Sequence, residues 1–543
     1  MFANRFPYLI IVFFGALLFI PFLGQVHLFD WDEINFAESA REMMHTHNYM
    51  QVQINYLPFW EKPPLFFWMQ VLSMKAFGVN EFAARLPNAI CGITLLSVLF
   101  YVGSRLYSKR FAWWMVLVYA GSFLPQFYFK SGIIDPWFNL FIFLGIFQLT
   151  QAIVAFQEQR AFDASVRYGA IFTGLAILTK GPVALLVVLL SYLIVVVIKR
   201  KSAILPFKSY LQFIAIVIVI TLLWFGLEVA QHGWWFLEEF INYQIRLFKT
   251  HDAGHSGFFL YHFVVLFVGA FPVSLLIYRW RGNSNETLIQ QTFRLFALVS
   301  FSVVILLFTM VQTKIIHYSS FCYLPMAFLA AYSIEGLLTQ KYKLHCWQLY
   351  CFLILGLIWS LITMALPLVG MHPEWLRPFI QDSFGKENLN AMVDWNYALS
   401  IPGLIYGVAI VMAFVWLRRL QYQRALLAFF ISTMLFIQVV LLLFVPRVEE
   451  YSQGAAIEFF EGLQQQDCYV TTLGYKSYAP YFYSRKKPER IEASDNSWLL
   501  RGKVDKPTYI VCKCTSAENI IKENREFITE LYRKNGFVFF KRK

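Results

Sequence analysis

Charged residues are scarce in this chain: Asp, Glu, Lys and Arg together make up 15% of its 543 residues, against roughly a quarter in an ordinary soluble domain. That scarcity excludes a soluble globular enzyme, a disordered chain and a coiled coil. Cysteine is also rare, and the seven present form no zinc or disulfide framework. The sequence has no internal repeat, which argues against the inverted-repeat architecture common among secondary transporters.

Apolar residues are correspondingly abundant, at 58% of the chain, and aromatic residues reach 19%. They gather into thirteen segments near the length of ~20 residues that crosses a bilayer as a helix. We therefore predict an all-α polytopic membrane protein with about thirteen transmembrane helices over residues 1–445. The segments lie near residues 8–24, 82–105, 111–129, 133–154, 165–180, 183–198, 208–226, 257–278, 292–311, 317–338, 347–370, 398–417 and 424–445.

The formal net charge of +13 lies largely in short loops between apolar segments. Such loops orient a membrane protein, because Lys and Arg stay on the cytoplasmic side. The charge therefore indicates membrane topology rather than nucleic-acid binding, and it predicts a cytoplasmic N-terminus. The basic loops contain Arg105, Lys109, Arg110, Lys199, Arg200, Lys201, Arg279, Arg281, Lys341, Lys343, Arg418, Arg419 and Arg424.

The composition changes after Val445, and residues 446–543 are polar. An odd number of helices places this segment on the outer side of the membrane. Cys468–Leu473, Tyr509–Cys512 and Phe537–Phe540 read as strands, and Ala517–Leu531 reads as a helix. We predict a small extracytoplasmic α/β domain over residues 446–543.

The first outer loop, residues 25–81, begins with an acidic pair. Asp32 and Glu33 directly follow the first helix, and carboxylates at this depth are costly to desolvate unless they are used or paired. Adjacent carboxylates on a turn diverge, so we expect only one to face a reacting centre. The following Ala37–Met44 segment predicts an amphipathic helix along the membrane surface, with Glu38 and Arg41 paired at i,i+3. A solvated interfacial cap is the alternative interpretation.

The same loop contains Glu61-Lys62-Pro63-Pro64. Two prolines fix an extended backbone and prevent a helix from starting before them. They therefore hold one acid and one base rigidly at the membrane edge. Lys62 suits a lipid phosphate as a point charge, and simple snorkelling to the interface is the alternative.

Further polar residues fall at the outer ends of later helices, whose middles stay almost purely apolar. Asp135 begins the fourth helix, where it either caps the helix or takes part in chemistry. Lys180 ends the fifth helix. A lone histidine such as His317 is more often a structural residue than a metal ligand. Together these residues predict one polar chamber at the outer face, whereas a transporter more often keeps polar groups near the midplane. Others in these loops are Arg246, His255, Lys314 and Tyr318.

Several short motifs in register resemble the bacterial branch of the protein O-mannosyltransferase superfamily, especially the lipid A aminoarabinose transferases. They extend over about residues 25–335. The motifs are Asp32-Glu33 followed by AESAREM, then EKPPLFFW, ARLPNAICG, Asp135, LTKGP, GAFPVSLL and TKIIHYSSFCYLP.

This resemblance implies a GT-C fold in the bacterial inner membrane, with about thirteen helices and a C-terminal periplasmic domain. It implies transfer of a sugar from a polyprenyl-phosphate carrier to an acceptor hydroxyl, with inversion. Lipid A and 4-amino-4-deoxy-L-arabinose are the leading acceptor and donor sugar, and another glycolipid or a protein acceptor stays open. The resemblance implies that the catalytic carboxylates are Asp32, Glu33 and Asp135. The residues implied to bind the donor phosphate are Lys62, Lys180, Tyr318, Lys314 and Arg246. Glu61 and His255 fall where aminoarabinose transferases hold a divalent metal ion.

The chain departs from that pattern at Asn35 and Phe36, where close aminoarabinose transferases have arginine and tyrosine. The departure removes a phosphate or sugar contact and leaves the donor sugar open. Two other classes of function are considered beside the transferase. One is a transporter or flippase of lipid-linked sugars, and the other is a binding or assembly protein with a degenerate site.

Overall fold

The structure, a computed structural model, describes residues 2–249, 257–278, 282 and 285–543. His255, Arg279 and Arg281 from the sequence analysis lie outside these residues. The chain is mostly helical. Its α-helices are α1 Phe2–Phe19, α2 Asp32–Thr46, α3 Leu65–Phe77, α4 Glu81–Leu106, α5 Lys109–Ala120, α6 Phe123–Phe127, α7 Asp135–Gln157, α8 Asp163–Lys180, α9 Val183–Lys199, α10 Phe207–Leu222, α11 Phe225–His232, α12 Trp235–Lys249, α13 Tyr261–Val264, α14 Leu288–Met310, α15 Tyr323–Leu338, α16 Cys346–Met371, α17 Ser383–Asn388, α18 Ile401–Arg418, α19 Tyr422–Leu443, α20 Val445–Glu450, α21 Gly454–Glu461, α22 Ala479–Tyr483, α23 Asn496–Arg501 and α24 Cys514–Asn524.

Within the described residues, seven helical stretches are long and apolar enough to cross a bilayer. They are Glu81–Leu106, Asp135–Gln157, Leu288–Met310, Ile316–Leu338, Cys346–Met371, Tyr397–Arg418 and Tyr422–Leu443. An eighth candidate is the pair α10 and α11, which is bent by 50°. The structure therefore has a polytopic helical architecture.

The predicted helix over 257–278 is wrong as a continuous element. The chain there forms the single turn α13, a π-helical turn over Val265–Gly269 and a 3₁₀ turn over Val273–Leu276. Pro272 lies between the last two turns and has no backbone N–H to donate, so regular α-helix cannot continue through it. Apolar composition alone could not reveal this break.

The predicted helix in the first outer loop is confirmed as α2, and it is buried within the protein; its placement along the membrane surface stays a prediction. Every residue over 33–43 is buried. The apolar side packs against α3, where the Phe36 ring meets Phe66 and Phe67 edge to face. The other side is covered by the C-terminal region, residues 446–543, since Arg41 donates to the Lys486 carbonyl at 2.6 Å. The predicted Glu38–Arg41 pair is confirmed, with N–O distances of 2.6 and 2.7 Å.

The C-terminal region contains a four-stranded sheet in the order β3-β4-β6-β5. Its strands are β3 Tyr469–Leu473, β4 Thr508–Lys513, β5 Ile528–Lys534 and β6 Phe537–Arg542, while β1 Gln53–Ile54 and β2 Leu57–Pro58 form a small hairpin after α2. β3 and β4 are parallel, and the other pairs are antiparallel. Three strands were predicted and are confirmed. The predicted helix Ala517–Leu531 is wrong beyond Asn524, because β5 follows.

One apolar core joins the C-terminal region to α2 and α3. It includes Phe36, Met43, Phe66, Phe460 and Phe482, all of them buried. A larger core fills the helix bundle. The end of the bundle near α2 is therefore capped by a packed layer, and the candidate site lies at this end.

Candidate active site

A cavity of about 1040 Å³ opens at the α2 end of the bundle. Its walls combine charged residues from distant parts of the chain with an apolar stretch from α7, α9 and α14. The charged, histidine and tyrosine lining residues are Asp30, Asp32, Glu33, Glu61, Lys62, Asp135, Lys180, Tyr243, Arg246, His317, Tyr318, Lys476 and Tyr478. The apolar lining includes Ile142, Leu186, Val187, Val304, Leu307 and Phe308. A ligand with an anionic head and a hydrocarbon chain fits such a lining.

The centre of the cavity is a chain of four charged or titratable groups. His317 Nε2 lies 3.4 Å from Asp32 Oδ2 and 3.8 Å from Asp135 Oδ2. The Lys180 ammonium donates to Asp135 Oδ1. Asp32 is 39% exposed whereas Asp135 is 3% exposed, so Asp32 is the carboxylate that a ligand can reach.

Glu33 points away from this chain of groups and into a buried ion pair. Arg85 Nε and Nη2 donate to its two oxygens at 3.0 and 2.8 Å. The same carboxylate accepts from the Phe29 N–H at 2.9 Å and from the Gly132 N–H. The two adjacent carboxylates therefore diverge. Glu33 is buried in an ion pair with Arg85, whereas the Asp32 carboxylate is open to the cavity.

The ARLPNAICG stretch on α4 explains how the two aspartates are held at one site. Arg85 fixes the start of α2, which carries Asp32. Asn88 Nδ2 donates to the Ser131 and Ile133 carbonyls, both at 2.6 Å, and so fixes the loop before Asp135. One turn of α4 thus positions both carboxylates.

The structure gives Asp135 no capping contact with its own helix. The helix α7 begins at Asp135 itself, its cap position is Ile134, and no side chain caps the first turn. The Asp135 carboxylate binds Lys180 at the end of α8 instead. Gly181 then reverses the chain at φ +110°, a conformation that glycine adopts without a side-chain clash.

A second group of residues surrounds Lys62. Its ammonium donates to the Tyr243 hydroxyl at 3.2 Å and lies 4.9 Å from the centre of that ring. Arg246 belongs to the same group, and its Nη2 atom lies 4.0 Å from Glu61 Oε1. The ring centre of Tyr318 lies 5.0 Å from the Lys180 ammonium. These contacts bring Lys62, Lys180, Tyr318 and Arg246 together in one cavity.

Lys314 is not brought to the cavity. Its ammonium donates to the carbonyls of Phe308, Thr309 and Val311 at 2.6 to 3.0 Å. These are carbonyls at the C-terminal end of α14, where a cation is favourable to the helix dipole. The lysine thus ends a helix, a contact that its sequence position did not reveal.

A metal centre is not built by the described residues of this cavity. Glu61 has a guanidinium as its charged neighbour, and its predicted partner His255 lies outside the described residues. Elsewhere in the described chain, His27, Glu81 and Glu461 have ligand atoms within 4.8 Å of one another. None of these three residues lines the cavity, and His27 Nδ1 is also 3.2 Å from Glu449 Oε1.

Asn35 and Phe36, the two departures from the family pattern, have different places. Asn35 lines the cavity and is buried, and its Oδ1 atom has no hydrogen-bond partner in the described structure. Phe36 also lines the cavity, but it is 1% exposed and packs mainly into the core below α2. Asn35 is therefore the departure that presents a polar atom to a bound sugar.

The sequence analysis missed two contributions to the site. His317 was weighed as a lone histidine, and only the fold shows that two carboxylates flank it. Lys476 and Tyr478 come from the C-terminal region, more than 400 positions after Asp32 in the chain. No local motif marks these two residues.

The family and the relatives that match this chain are named as sugar transferases. The profile of the family described as dolichyl-phosphate-mannose-protein mannosyltransferase matches residues 61–225. Curated relatives named undecaprenyl phosphate-alpha-4-amino-4-deoxy-L-arabinose arabinosyl transferase include one from Shewanella sediminis, 26% identical over 61% of this chain, and one from Edwardsiella ictaluri, 28% identical over 61%. The chain spans about 60% of the length of each of these relatives.

A solved structure extends the likeness to the whole chain. The crystal structure of ArnT from Cupriavidus metallidurans bound to undecaprenyl phosphate superposes with a TM-score of 0.75, covering 99% of this chain and 98% of that one at 17% identity. This chain has the ArnT fold. The apo crystal structure of the same protein gives a TM-score of 0.74. The resemblance to the aminoarabinose transferases is confirmed by the curated relatives of that name together with this fold.

Proposed function

We propose that this protein is an inner-membrane glycosyltransferase that moves a sugar from a polyprenyl-phosphate carrier to an acceptor hydroxyl. The leading donor sugar is 4-amino-4-deoxy-L-arabinose, and the leading acceptor is lipid A. The observation that carries the proposal is the Asp32–His317–Asp135–Lys180 chain of groups, which shares one cavity with Lys62. Relatives named as arabinosyl transferases and the ArnT fold support the same conclusion.

The reaction is a single displacement at the anomeric carbon. Asp32, the exposed carboxylate, accepts the proton of the acceptor hydroxyl as its oxygen forms the new bond to the sugar. The bond from the anomeric carbon to the phosphate oxygen breaks, and its electrons leave with the polyprenyl phosphate. Because attack and departure occur on opposite sides, the configuration of the sugar is inverted.

Fixed cations lower the barrier by stabilising the departing phosphate. Lys62 suits this role because Tyr243 orients its ammonium in the cavity, and preorganised charge costs no reorganisation during the reaction. Lys180 holds Asp135, and that pair holds His317 beside Asp32. The apolar lining from α7, α9 and α14 gives the polyprenyl chain a surface to occupy.

A transporter or flippase of lipid-linked sugars is the competing function. Its polar groups are expected near the middle of the membrane. In this chain they gather at the ends of α2, α7 and α8 instead. Conversion of an acceptor into a glycosylated product distinguishes the two functions, since a transporter releases its substrate unchanged.

We further propose that the site faces the periplasm, with the N-terminus in the cytoplasm and residues 446–543 as a periplasmic α/β domain. The chain then has thirteen spans, with the broken segment over 257–278 counted as one of them. Support comes from the basic residues, because Arg105 and Lys199 lie at the far ends of α4 and α9 from the site. A C-terminal fusion to a reporter enzyme that folds only in the periplasm tests the orientation. An active reporter is expected, and an inactive one contradicts it.

The function is tested with the full chain in lipid nanodiscs supplied with undecaprenyl phosphate-linked aminoarabinose and lipid A. Mass spectrometry of lipid A is expected to show one added sugar. Asp32→Asn and Lys62→Gln are each expected to lower kcat about 100-fold. Asp163→Asn and Lys75→Gln are matched controls, since Asp163 starts α8 at the opposite end and Lys75 contacts Tyr49 outside the cavity lining. Wild-type rates from Asp32→Asn and Lys62→Gln would contradict the site assignment.

A further inference from the structure

One buried carboxylate outside the cavity, Glu228 on α11, has an unsatisfied side chain. It is 1% exposed, and both of its oxygens lack a hydrogen-bond partner among the residues that the structure describes. Buried charges in proteins are paired or coordinate a metal ion. Protonation alone does not satisfy this group, because the O–H of a neutral carboxyl also needs an acceptor. A further ligand therefore suits Glu228.

A histidine lies beside this carboxylate on the same helix. His232 follows Glu228 by four residues, so the two side chains lie on one face of α11. The His232 Nε2 atom is 3.6 Å from Glu228 Oε2, which is too long for a hydrogen bond. A zinc ion about 2.0 to 2.2 Å from each atom bridges such a separation. The same spacing places the two zinc-binding histidines of the H-E-x-x-H motif on one helix face.

The first outer loop supplies a third polar group, the side-chain amide of Gln51. Its nitrogen lies 3.5 Å from the same His232 Nε2 atom, while its oxygen accepts from the Gln53 amide at 3.0 Å. The Gln53 oxygen is buried and has no partner in the described structure. Turning both amides by half a turn keeps the hydrogen bond between them, with Gln51 as its donor. The Gln51 oxygen then faces the imidazole, where it can bind a metal ion.

Aromatic residues hold the loop and α11 together around these three groups. Trp224, one helical turn before the carboxylate, donates from its indole to the Met50 carbonyl at 2.8 Å. The ring centres of Trp60 and His232 lie 5.0 Å apart, edge to face. The imidazole is therefore held in place by packing. None of the three candidate ligands lines the cavity of the proposed active site.

We propose that Glu228, His232 and Gln51 bind one divalent transition-metal ion, with zinc as the leading ion. The ion holds the first outer loop against α11. Carboxylate and imidazole are both zinc ligands, whereas calcium and magnesium take oxygen ligands and do not suit the imidazole. The inference goes beyond the proposed function and does not rest on it.

The experiment measures zinc binding to the metal-free full chain in detergent micelles, by calorimetric titration and metal analysis, after purification through a tag without histidine. One equivalent is expected to bind and to raise the unfolding midpoint. Glu228→Gln and His232→Gln are each expected to weaken this binding at least about 100-fold, because losing a group that only supports a ligand already costs about 10–100-fold. His372→Gln is the matched control, since His372 forms a similar pair with Glu374 on the exposed surface.

Wild-type zinc affinity in both variants would overturn the proposal, and so would absence of zinc binding by the wild type. Loss of the same equivalent in Glu61→Gln or His27→Gln would also overturn it, since the zinc would then lie at another group. His232 is 28% exposed, so His232→Gln tests the site even if Glu228→Gln fails to fold. No arm measures sugar transfer, so the result is independent of the proposed function.

Discussion

The buried pair between Glu33 and Arg85 offers a prediction about how Asp32 is held. Both side chains are 4 to 5% exposed. Arg85 donates to the Glu33 carboxylate and also to the carbonyls of Leu23, Val26 and His27 at 2.6 to 2.8 Å. Replacing Arg85 with methionine leaves one buried carboxylate and three carbonyls without this partner.

The magnitude follows from the uncompensated charge. Removing one partner of a buried ion pair typically costs about 3–5 kcal/mol. The Phe29 and Gly132 N–H groups continue to bind Glu33, so Arg85→Met is expected near the lower end, about 3 kcal/mol. The double variant Glu33→Gln/Arg85→Met buries no charge and is expected to be more stable than Arg85→Met alone.

Unfolding in mixed micelles by titration with a denaturing detergent measures these differences, and kcat is measured on the folded fraction. Glu33→Gln is expected to keep kcat within about tenfold of wild type, whereas Asp32→Asn loses about 100-fold. If Glu33→Gln folds normally and loses as much activity as Asp32→Asn, then Glu33 is catalytic and the scaffolding role is wrong. If Arg85→Met changes the free energy of unfolding by less than about 0.5 kcal/mol, the buried pair does not hold α2.

Three further predictions concern the other titratable contacts. His317→Gln removes the group that lies between the two aspartates and is expected to lower kcat about 100-fold. Native mass spectrometry is expected to show that the variant still binds the carrier. An unchanged kcat would contradict the assignment of His317 to the site. Lys180→Met leaves the buried Asp135 carboxylate without its cation and frees His317 beside Asp32, so it is expected to lower kcat about tenfold. An unaltered kcat in initial-rate assays would contradict this positioning role. Although burial opposes its protonation, contacts with Glu449 and neighbouring glutamates raise the pKa of His27 above its ordinary value. His27 therefore stabilises the fold below its unfolded pKa of about 6.5, and this contribution is lost as the pH rises through the folded pKa. The unfolding midpoint of His27→Gln is thus expected to fall further below wild type at about pH 5.5 than at about pH 8.5, and an equal difference at both values contradicts the contact.

Residues with a local pattern were predictable from the sequence. The Glu38–Arg41 pair follows from helical spacing, and three of the four strands in the C-terminal sheet follow from apolar runs bounded by polar residues. The gathering of Asp32, Asp135 and Lys180 was predicted from their positions at helix ends on one side of the membrane. Topology alone brings such ends together.

One local pattern was present but overlooked. Asn535 and Gly536 have positive φ angles of 47° and 79°, and they join β5 to β6 as a two-residue hairpin. An Asn-Gly pair between alternating segments is a strong hairpin signal. It would have shown that the predicted helix over Ala517–Leu531 ends before β5.

Other features depend on contacts that no local pattern contains. Helix α2 has the composition of a surface helix, yet the C-terminal region covers its polar side and buries Glu38 and Arg41 as a pair. Lys314 carries the same charge as Lys180, but it meets the carbonyls that end α14 rather than a carboxylate. Only the three-dimensional arrangement distinguishes these two lysines.

The most direct test of the central claim is transfer by the full chain and its Asp32→Asn variant in nanodiscs. The donor is undecaprenyl phosphate-linked aminoarabinose, the acceptor is lipid A, and product is measured by mass spectrometry. The structure predicts a sugar-sized mass gain with the wild type and about 100-fold less with Asp32→Asn, although both bind the carrier equally. Equal product from both proteins, or none from a wild type that binds donor and acceptor, would contradict the account.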